Sequence, residues 1–374
     1  MAITKSPVIL THFEELTDPR MERTKRHRLS DIVAIALCGA ICGADSWADV
    51  ERFGNEKIDW FRTWLPLEHG IPSHDTLGRV FSLLDTKEFY HCLANWVASL
   101  QLDLQGQTVA IDGMTLRRSF DQASGTGALH LVNAWASDLH LSLGQLATEQ
   151  KSNEITAVPR LLEILAIEGA VVTLDAMHCQ KQTAEKIRLA GADYVLQVKG
   201  NQKKMHEQLL QLFIDYGDQD YRGVRRHVTV EKNHGRDERR EYYVAPAPPK
   251  LSEQWRDLRS VGMVFRYRKS GEKLSEETSF FISSLPPKVR SLAGHVRNHW
   301  SVENSLHWSL DVTFSEDQSR LRKGNGQEIA AGMRRLALSI LKRDTTLKES
   351  LRGKRLRAGW NNQTLQAILT SIQA

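Results

Sequence analysis

Two short apolar runs that each end in an aspartate, VAIDG at residues 109–113 and VVTLD at residues 171–175, decide the fold. Apolar stretches of this length, bounded by polar residues, are typical of β-strands. Residues 129–136 and 141–148 have the same texture, whereas residues 156–167 have the spacing of a helix. Three strands followed by alternating helices and strands predict an α/β fold, in which helices flank a mixed sheet.

Asp112 and Asp175 stand at the carboxyl ends of the first and fourth predicted strands. Ligands of open α/β sheets bind at this edge, and the two carboxylates converge if the two strands are neighbours. One such acid means little, because many strands end at an aspartate in a turn. Two acids in this strand order indicate a metal site, since a buried carboxylate must be solvated, paired or metal-bound.

A third acid, Glu303, lies in the segment HWSVENSLHW at residues 299–308. His299, Glu303 and His307 are spaced by four, so they share one face of a helix. Clustered carboxylates suit Mg²⁺ or Mn²⁺. The two histidines offer a rival zinc site, but the segment is not HExxH and zinc would leave the two aspartates unexplained.

Two tryptophans flank Glu303 in the same segment. We expect Trp300 and Trp308 to hold this helix against the sheet. Asp311, about two turns further on, is either an acid behind the site or a solvent-facing residue at the helix end.

The composition is that of a soluble globular protein with two or three domains. The sequence has no apolar run of about 18 residues, which argues against a membrane-spanning helix. Its four cysteines lack a paired CxxC pattern, so we expect reduced thiols in a cytoplasmic protein.

The net charge of +5 is only mildly basic, but the basic residues are clustered. One cluster lies near the start and the other near the end: Arg20, Arg23, Lys25, Arg26 and Arg28, then Lys348, Arg352, Lys354, Arg355 and Arg357. Such clusters suit contacts with DNA phosphates, and a solvated surface is an equally good interpretation.

The chain divides into three predicted parts. Residues 1–100 are helical, residues 101–345 carry the α/β fold, and residues 346–374 form a basic C-terminal tail. Within the second part, residues 222–284 are predicted to be an inserted β module. Its hairpin turns are expected at Asn233-His234-Gly235 and at Ser270-Gly271-Glu272, where glycine favours a tight turn.

In the N-terminal part, Ser73 resembles the N-cap of a helix whose first turns carry His74 and Arg79. Short helices with a polar, basic first turn suit DNA docking. A helical packing domain would look much the same.

These motifs resemble those of a known family. The segments Ile111-Asp112-Gly113 and Leu174-Asp175-Ala176, together with the long motif around Glu303, resemble DDE insertion-sequence transposases. The nearest branch contains the H-repeat-associated proteins of enteric bacteria. The segments GADSW at 43–47 and IPSHDT at 71–76 resemble the associated N-terminal domain of that branch.

The resemblance implies a ribonuclease-H-like fold in which Asp112, Asp175 and Glu303 are the catalytic residues and hold two Mg²⁺ or Mn²⁺ ions. It also accounts for the β module, because related transposases carry a β insertion between the second and third acids. The implied function is DNA transposition, in which a homodimer binds double-stranded DNA at the element's terminal repeats, frees a 3′-hydroxyl and joins it to target DNA. A nuclease without strand transfer and an inactive DNA-binding remnant are the alternatives. The resemblance also implies a bacterial protein that associates with the nucleoid when bound to DNA.

The chain departs from the related group around the third acid. That group often has Tyr, Arg and Lys at positions occupied here by Val296, His299 and Leu310. The phosphate-gripping role of those three family residues would then be absent, or moved to Arg297, His299 and His307. Together with the basic and sheet-edge positions, the residues expected to contact DNA are Arg23, Lys25, Arg26, His74, Arg79, Lys199, Asn201, Arg297, His299 and His307.

Overall fold

The strands in the described part of the chain form one nine-stranded sheet. The computed structural model describes residues 7–120, 127–148, 154–233 and 236–371. In chain order the strands are β1 Thr108–Thr115, β2 His130–Ala136, β3 Leu141–Thr148, β4 Val171–Leu174, β5 Asp193–Val198, β6 Arg225–Asn233, β7 Arg236–Pro246, β8 Ser260–Ser270 and β9 Lys273–Ser283. Their order across the sheet is β3-β2-β1-β4-β5-β9-β8-β7-β6.

The first five strands have the ribonuclease-H-like arrangement that the resemblance implied. β1, β2 and β3 are antiparallel neighbours, whereas β4 pairs parallel to β1 and β5 pairs parallel to β4. The mixed sheet and the adjacency of the first and fourth strands are confirmed.

The predicted β insertion at residues 222–284 extends the central sheet. β9 pairs antiparallel with β5, from Val195 opposite Ser283 to Val198 opposite Phe280, so β6–β9 continue the central sheet. This pairing satisfies the backbone groups of β5, which would otherwise be an open edge. The turn predicted at Ser270-Gly271-Glu272 joins β8 to β9, with Gly271 at a φ of +59°. The other predicted turn includes residues 234 and 235, which lie outside the described residues.

Helices precede, interrupt and follow the sheet. In chain order they are α1 Val8–Thr11, α2 Leu29–Cys42, α3 Trp47–Glu56, α4 Ile58–Phe61, α5 His74–Leu83, α6 Thr86–Ser99, α7 Glu154–Ile164, α8 Lys181–Leu189, α9 Lys203–Gly217, α10 Pro249–Ser252, α11 Val289–Val302, α12 Gly326–Arg343, α13 Leu351–Trp360 and α14 Asn362–Thr370. Ser73 caps α5 as predicted, its Oγ accepting from the backbone N–H of Thr76.

The two faces of the sheet have different helices, because successive side chains of a strand point to opposite faces. On β4, Val171 packs in a cluster with Leu292 and Val296 of α11. Val172, the next residue, belongs to the large core that contains α7 and α8. β4, although only four residues long, therefore packs against helices on both faces of the sheet.

The helix that carries Glu303 is held by aliphatic residues and not by tryptophan. α11 continues into two π-helical turns, Glu303–His307 and Ser309–Thr313, a conformation often found at functional sites. Leu306 and Leu310 are fully buried there, whereas Trp300 and Trp308 are 42% and 58% exposed. The expectation that the tryptophans hold this helix against the sheet is wrong.

The C-terminal residues are folded. α13 and α14 contact each other, and α13 packs on α2, so that Ala358, Leu365 and Ile368 join the main apolar core. The predicted basic tail is therefore a pair of helices that shares a core with the N-terminal helices. Within the described residues no single helix is long and apolar enough to cross a membrane, and only the bent pair α2 and α3, at 96°, has the required length and composition.

Candidate functional site

Asp112 and Asp175 lie side by side at the carboxyl edge of the sheet. β1 and β4 pair in register from Thr108 opposite Val171 to Ile111 opposite Leu174, and each acid is the next residue along its strand. By strand alternation Asp112 shares the face of Thr108, whose hydroxyl bonds to His295 of α11. Asp112 therefore points to the face that α11 covers, and the charge of Asp175 acts on His299 of the same helix, raising its pKa against the effect of burial.

Glu303 comes to the same edge from the end of α11, together with His307. Nδ1 of His307 lies 3.4 Å from Oε2 of Glu303 and 3.9 Å from Oδ2 of Asp112. The hydrogen bond with His307 lowers the pKa of Glu303, which keeps this 57%-exposed carboxylate ionised. The structure thus brings together three of the predicted residues.

The electrostatics of the edge favour a cation. Burial raises the pKa of Asp112 to about 6; His307 and the backbone N–H of Gly113 oppose that rise, and the charges of Glu303 and Asp175 add to it. The Oδ1 atom of Asp175 is buried and has no hydrogen-bond partner among the described residues. A buried carboxylate oxygen without a partner is costly, and a metal ion would satisfy it.

The donor set fits a hard divalent ion. One donor atom each from Asp112, Glu303 and His307 lie within 4.8 Å of one another. Asp175 is outside that group, and its Oδ1 is 3.7 Å from Nε2 of His178. Carboxylate oxygens dominate, which suits Mg²⁺ or Mn²⁺ better than zinc.

His299 is buried behind the acids. Its Nδ1 is 3.0 Å from the hydroxyl of Thr173, and burial lowers its pKa to about 4. A neutral, enclosed ring cannot grip a DNA phosphate, so the structure removes His299 from the predicted DNA contacts. His307 is also buried, and it faces Glu303 and Asp112; the rival zinc pairing of His299 with His307 gains no support from this arrangement.

Sequence reasoning missed a buried acid on the opposite face. Glu154, at the start of α7, lies between His130 of β2 and His178, and all three are almost completely buried. Burial acts to raise the pKa of Glu154, but hydrogen bonds from His130 and His178 outweigh it and lower the pKa to about 2. A histidine inside an apolar strand and another three residues after Asp175 were the available signals.

Lys199 and Asn201 follow β5 at the same edge of the sheet. Lys199 is exposed, as a DNA contact would require. Asn201 donates through Nδ2 to the carbonyl of Ala176 at 2.5 Å, so its side chain fixes the turn that follows Asp175.

A groove with a volume of about 960 Å³ runs between α11 and strands β6–β9, and Glu303 lies on its wall. Its arginines are paired within the chain. Arg297 bonds to Glu231 at 2.7 Å, and Arg240 bonds to Glu238 at 2.7 Å. A DNA phosphate at Arg297 would therefore compete with Glu231.

The predicted N-terminal DNA contacts lie on other elements. Arg23 and Arg26 are exposed in the segment before α2, and Lys25 pairs with Glu22 at 2.5 Å. On α5, Arg79 is exposed and His74 bonds to Glu51 at 2.6 Å, which raises the pKa of His74.

Asp311 lies in the second π-helical turn, half-buried. Burial raises its pKa to about 6, with Asp317 and Glu316 adding to the rise. Its Oδ1 is buried without a hydrogen-bond partner in the described part of the chain. Of the two interpretations, a solvent-facing helix end is the poorer fit.

Comparison with known proteins identifies the family. Residues 10–97 match the model "DDE_Tnp_1-associated", and residues 103–340 match the model "Transposase DDE domain". A relative from Escherichia coli strain K12, "H repeat-associated putative transposase YhhI", is 36% identical over 96% of this chain and 97% of its own length. "Putative transposase YncI" of Escherichia coli O157:H7 is also 36% identical, over 97% of this chain and 94% of its own length.

Among solved structures, a piggyBac transposase synaptic complex with hairpin DNA aligns with the whole chain and 80% of its own, with a TM-score of 0.46 and 13% identity. The two family models and the full-length relatives establish the family without this structure. Together they cover the helical front end, both aspartate-bearing strands and the helix of Glu303. This chain belongs to the DDE transposase family.

Proposed function

We propose that this protein cleaves DNA strands and joins the freed 3′ ends to target DNA, using Asp112, Asp175 and Glu303 as ligands for two Mg²⁺ or Mn²⁺ ions. The observation that supports it most is the register of β1 and β4, which sets two aspartates on neighbouring strand ends facing the helix of Glu303. The unpartnered oxygen of Asp175 supports the same conclusion.

When bound, a pair of such ions activates a water or a 3′-hydroxyl and stabilises the leaving oxygen of an in-line phosphoryl displacement. The chain's own residues prepare that chemistry. Asp112, Asp175 and Glu303 would hold the two ions, and donor atoms of Asp112 and Glu303 already lie within 4.8 Å of each other. His307 orients the exposed carboxylate of Glu303 through its Nδ1.

DNA would be held by basic side chains outside the acid cluster. Lys199 is exposed beside the acids, and Arg297 lies on the groove next to Glu303. Arg23, Arg26 and Arg79 are exposed on the N-terminal helical part, where duplex recognition would take place. Two copies acting on a pair of element ends would form the working assembly at the nucleoid.

The test is Mg²⁺-dependent cleavage of the element's own ends, identified as inverted repeats in the DNA that flanks the gene. Asp175→Asn and Glu303→Gln should each reduce the cleavage rate by about 100-fold or more, because each removes charge from the site of phosphoryl transfer. Glu276→Gln, a change at an exposed acid of β9, is the matched control and should leave the rate unchanged. Unchanged cleavage by the first two variants would refute the assignment.

A second candidate is hydrolysis without strand transfer. It is favoured by the apolar, buried side chains of Val296 and Leu310 and by the buried ring of His299, at positions where related transposases carry phosphate-gripping residues. Supplying pre-cut ends with a target plasmid separates the two candidates. Joined products support transposition. Cleavage of intact ends without joining of the pre-cut ends supports the nuclease.

A further inference from the structure

The buried carboxylate of Glu154 lies on the face of the sheet opposite α11, beneath the strand ends that carry both aspartates. It contacts groups from both strand ends at once, through Gly113 on one side and His178 on the other. Building on the proposed function, we infer that Glu154, with His130 and His178, is a positioning device that fixes the separation of Asp112 and Asp175 for metal binding.

The sheet alone does not fix that separation. The parallel pairing of β1 with β4 ends at Ile111 opposite Leu174, one residue before each acid. Beyond that point β1 continues beside β2, while the chain after Leu174 turns into a short 3-10 helix, Ala176–His178. Something other than the backbone ladder must therefore hold the two carboxylates at a constant distance.

On the β1 side, Glu154 packs against the backbone of Gly113. A Cβ atom at Gly113 would lie 2.6 Å from Oε1 of Glu154, a distance that ordinary contacts never reach. The glycine that follows Asp112 thus leaves room for the carboxylate. His130, which contacts the same carboxylate, is itself fixed to β1 by a 2.7 Å hydrogen bond between its Nδ1 and the hydroxyl of Thr115.

On the β4 side, Glu154 holds the turn that carries Asp175. Nε2 of His178 donates to Oε2 of Glu154 at 3.0 Å and lies 3.7 Å from Oδ1 of Asp175. Asn201 holds the same turn from β5 by donating to the carbonyl of Ala176. The turn is therefore fixed from two directions, and Glu154 is the contact that links it to β1.

The donors and acceptors around the Glu154 carboxylate agree with this role. Because an ionised carboxylate only accepts, both histidines present an N–H to it through Nε2, and Nδ1 of His130 is left to accept from Thr115. Mg²⁺ demands near-octahedral geometry with short metal–oxygen distances, so small changes in the separation of its ligands reduce its affinity. Outer residues that orient metal ligands typically contribute about 10- to 100-fold to affinity.

The experiment measures Mn²⁺ binding by the full-length protein, with free Mn²⁺ quantified by electron paramagnetic resonance, and thermal stability in parallel. Glu154→Gln and Glu154→Ala should weaken Mn²⁺ binding by about 10-fold or more. The matched control is Asp344→Asn, because Asp344 is similarly buried and forms an ion pair with Lys354 at the end of α12, away from the acids. It should lower stability while leaving Mn²⁺ affinity within about twofold of wild type.

A double-mutant cycle tests the contact itself. Gly113→Ala should weaken Mn²⁺ binding in the wild type, because its methyl group displaces the Glu154 carboxylate. In the Glu154→Ala background that space is vacant, so Gly113→Ala should reduce the Mn²⁺ affinity by a smaller factor. If Glu154→Ala does not fold, Glu154→Ser, which also vacates this space, replaces it in the cycle.

The outcomes separate the two proposals. Equal loss of Mn²⁺ affinity in the Glu154 variants and in Asp344→Asn, or strict additivity in the cycle, would overturn the positioning role alone. If Asp112→Asn binds Mn²⁺ as well as the wild type, or if the wild type binds none, the metal site itself is wrong and both proposals fall. Selective loss in the Glu154 variants supports both.

Discussion

The basic segment before α2 and the basic helix α13 have similar charge in the sequence but opposite surroundings in the structure. Arg23 and Arg26 of the first are exposed, whereas Lys354 and Arg355 of the second are only 7% exposed. The guanidinium of Arg355 lies over the ring of Phe314 and donates to backbone carbonyls at the end of α2. A run of basic residues is therefore a DNA-binding signal only where its charges are not already used by the fold.

The largest effect on stability is expected from removing a buried basic side chain of α13. Arg355→Met removes the donor for the carbonyls of Ala40 and Thr313 and should lower the free energy of unfolding by about 3 kcal/mol, because these acceptors stay buried. Urea denaturation measures the loss. Arg357→Met, on the same helix but half-exposed and paired with Glu349, is the control, with an expected change below about 0.5 kcal/mol. Equal losses in the two variants would contradict the comparison.

A somewhat smaller loss is expected at Lys354, whose Nζ lies 3.1 Å from Oδ2 of the buried Asp344 and donates to the carbonyl of Leu341. Lys354→Met should cost about 2 kcal/mol at neutral pH. Burial acts to raise the pKa of Asp344, but hydrogen bonds from Thr346 and Lys354 outweigh it and lower the pKa below 3.8.

The pH dependence of that variant has a definite sign. A carboxyl whose pKa is lowered by folding contributes stability above its unfolded pKa and loses it as the pH falls through its folded pKa. The deficit of Lys354→Met should therefore be constant from neutral pH to about pH 4 and shrink at more acidic pH. A deficit that grows on acidification would show that the ion pair is not its source.

Substitutions in the exposed basic segment before α2 should change DNA binding and not stability. Replacing Arg23 and Arg26 together by alanine should leave the unfolding midpoint unchanged and lower the slope of log affinity against log salt by about 2, one unit for each lost phosphate contact. Fluorescence anisotropy of a labelled duplex at stepped salt concentrations measures it. Lys250→Ala, on the exposed side of α10, serves as the control for general loss of charge. An unchanged slope would mean that these arginines are only a solvated surface.

The smallest effect should be at Lys25, although it belongs to the same cluster. Its ion pair with Glu22 joins a partly covered lysine to an 89%-exposed acid. A double-mutant cycle of Lys25→Met with Glu22→Gln should give a coupling below about 0.5 kcal/mol. A larger coupling would mean that the ion pair of Lys25 with Glu22 stabilises the fold, as the ion pair of Lys354 does.

The sequence was most informative where the evidence was local. The strand order and the two terminal aspartates followed from short apolar runs, and β1 pairs with β4 as predicted. The motif around Glu303 likewise follows from spacing along one helix. His299 shared that spacing but is turned to Thr173, because the depth of a helical residue depends on what packs against the helix.

Non-local features escaped prediction. Nothing in residues 222–284 says that β9 will pair with β5, because strand partners are chosen by the whole sheet. Glu154 has no motif of its own, and only the fold brings His130 and His178 to it. The burial of Lys354 and Arg355 could not be predicted for the same reason. The charge of a side chain does not show whether the fold places a buried carbonyl or carboxylate beside it.

The docking of α13 onto α2 has a consequence for how the chain is made. Arg355 and its acceptor Ala40 are separated by 315 residues, so α2 leaves the ribosome long before its partner is synthesised. At a translation rate of about 5–20 residues per second, the apolar helix waits tens of seconds with one side uncovered. The N-terminal layer can close only after the nine-stranded sheet has been translated, so the N-terminal helices complete their packing only when nearly all of the chain is present.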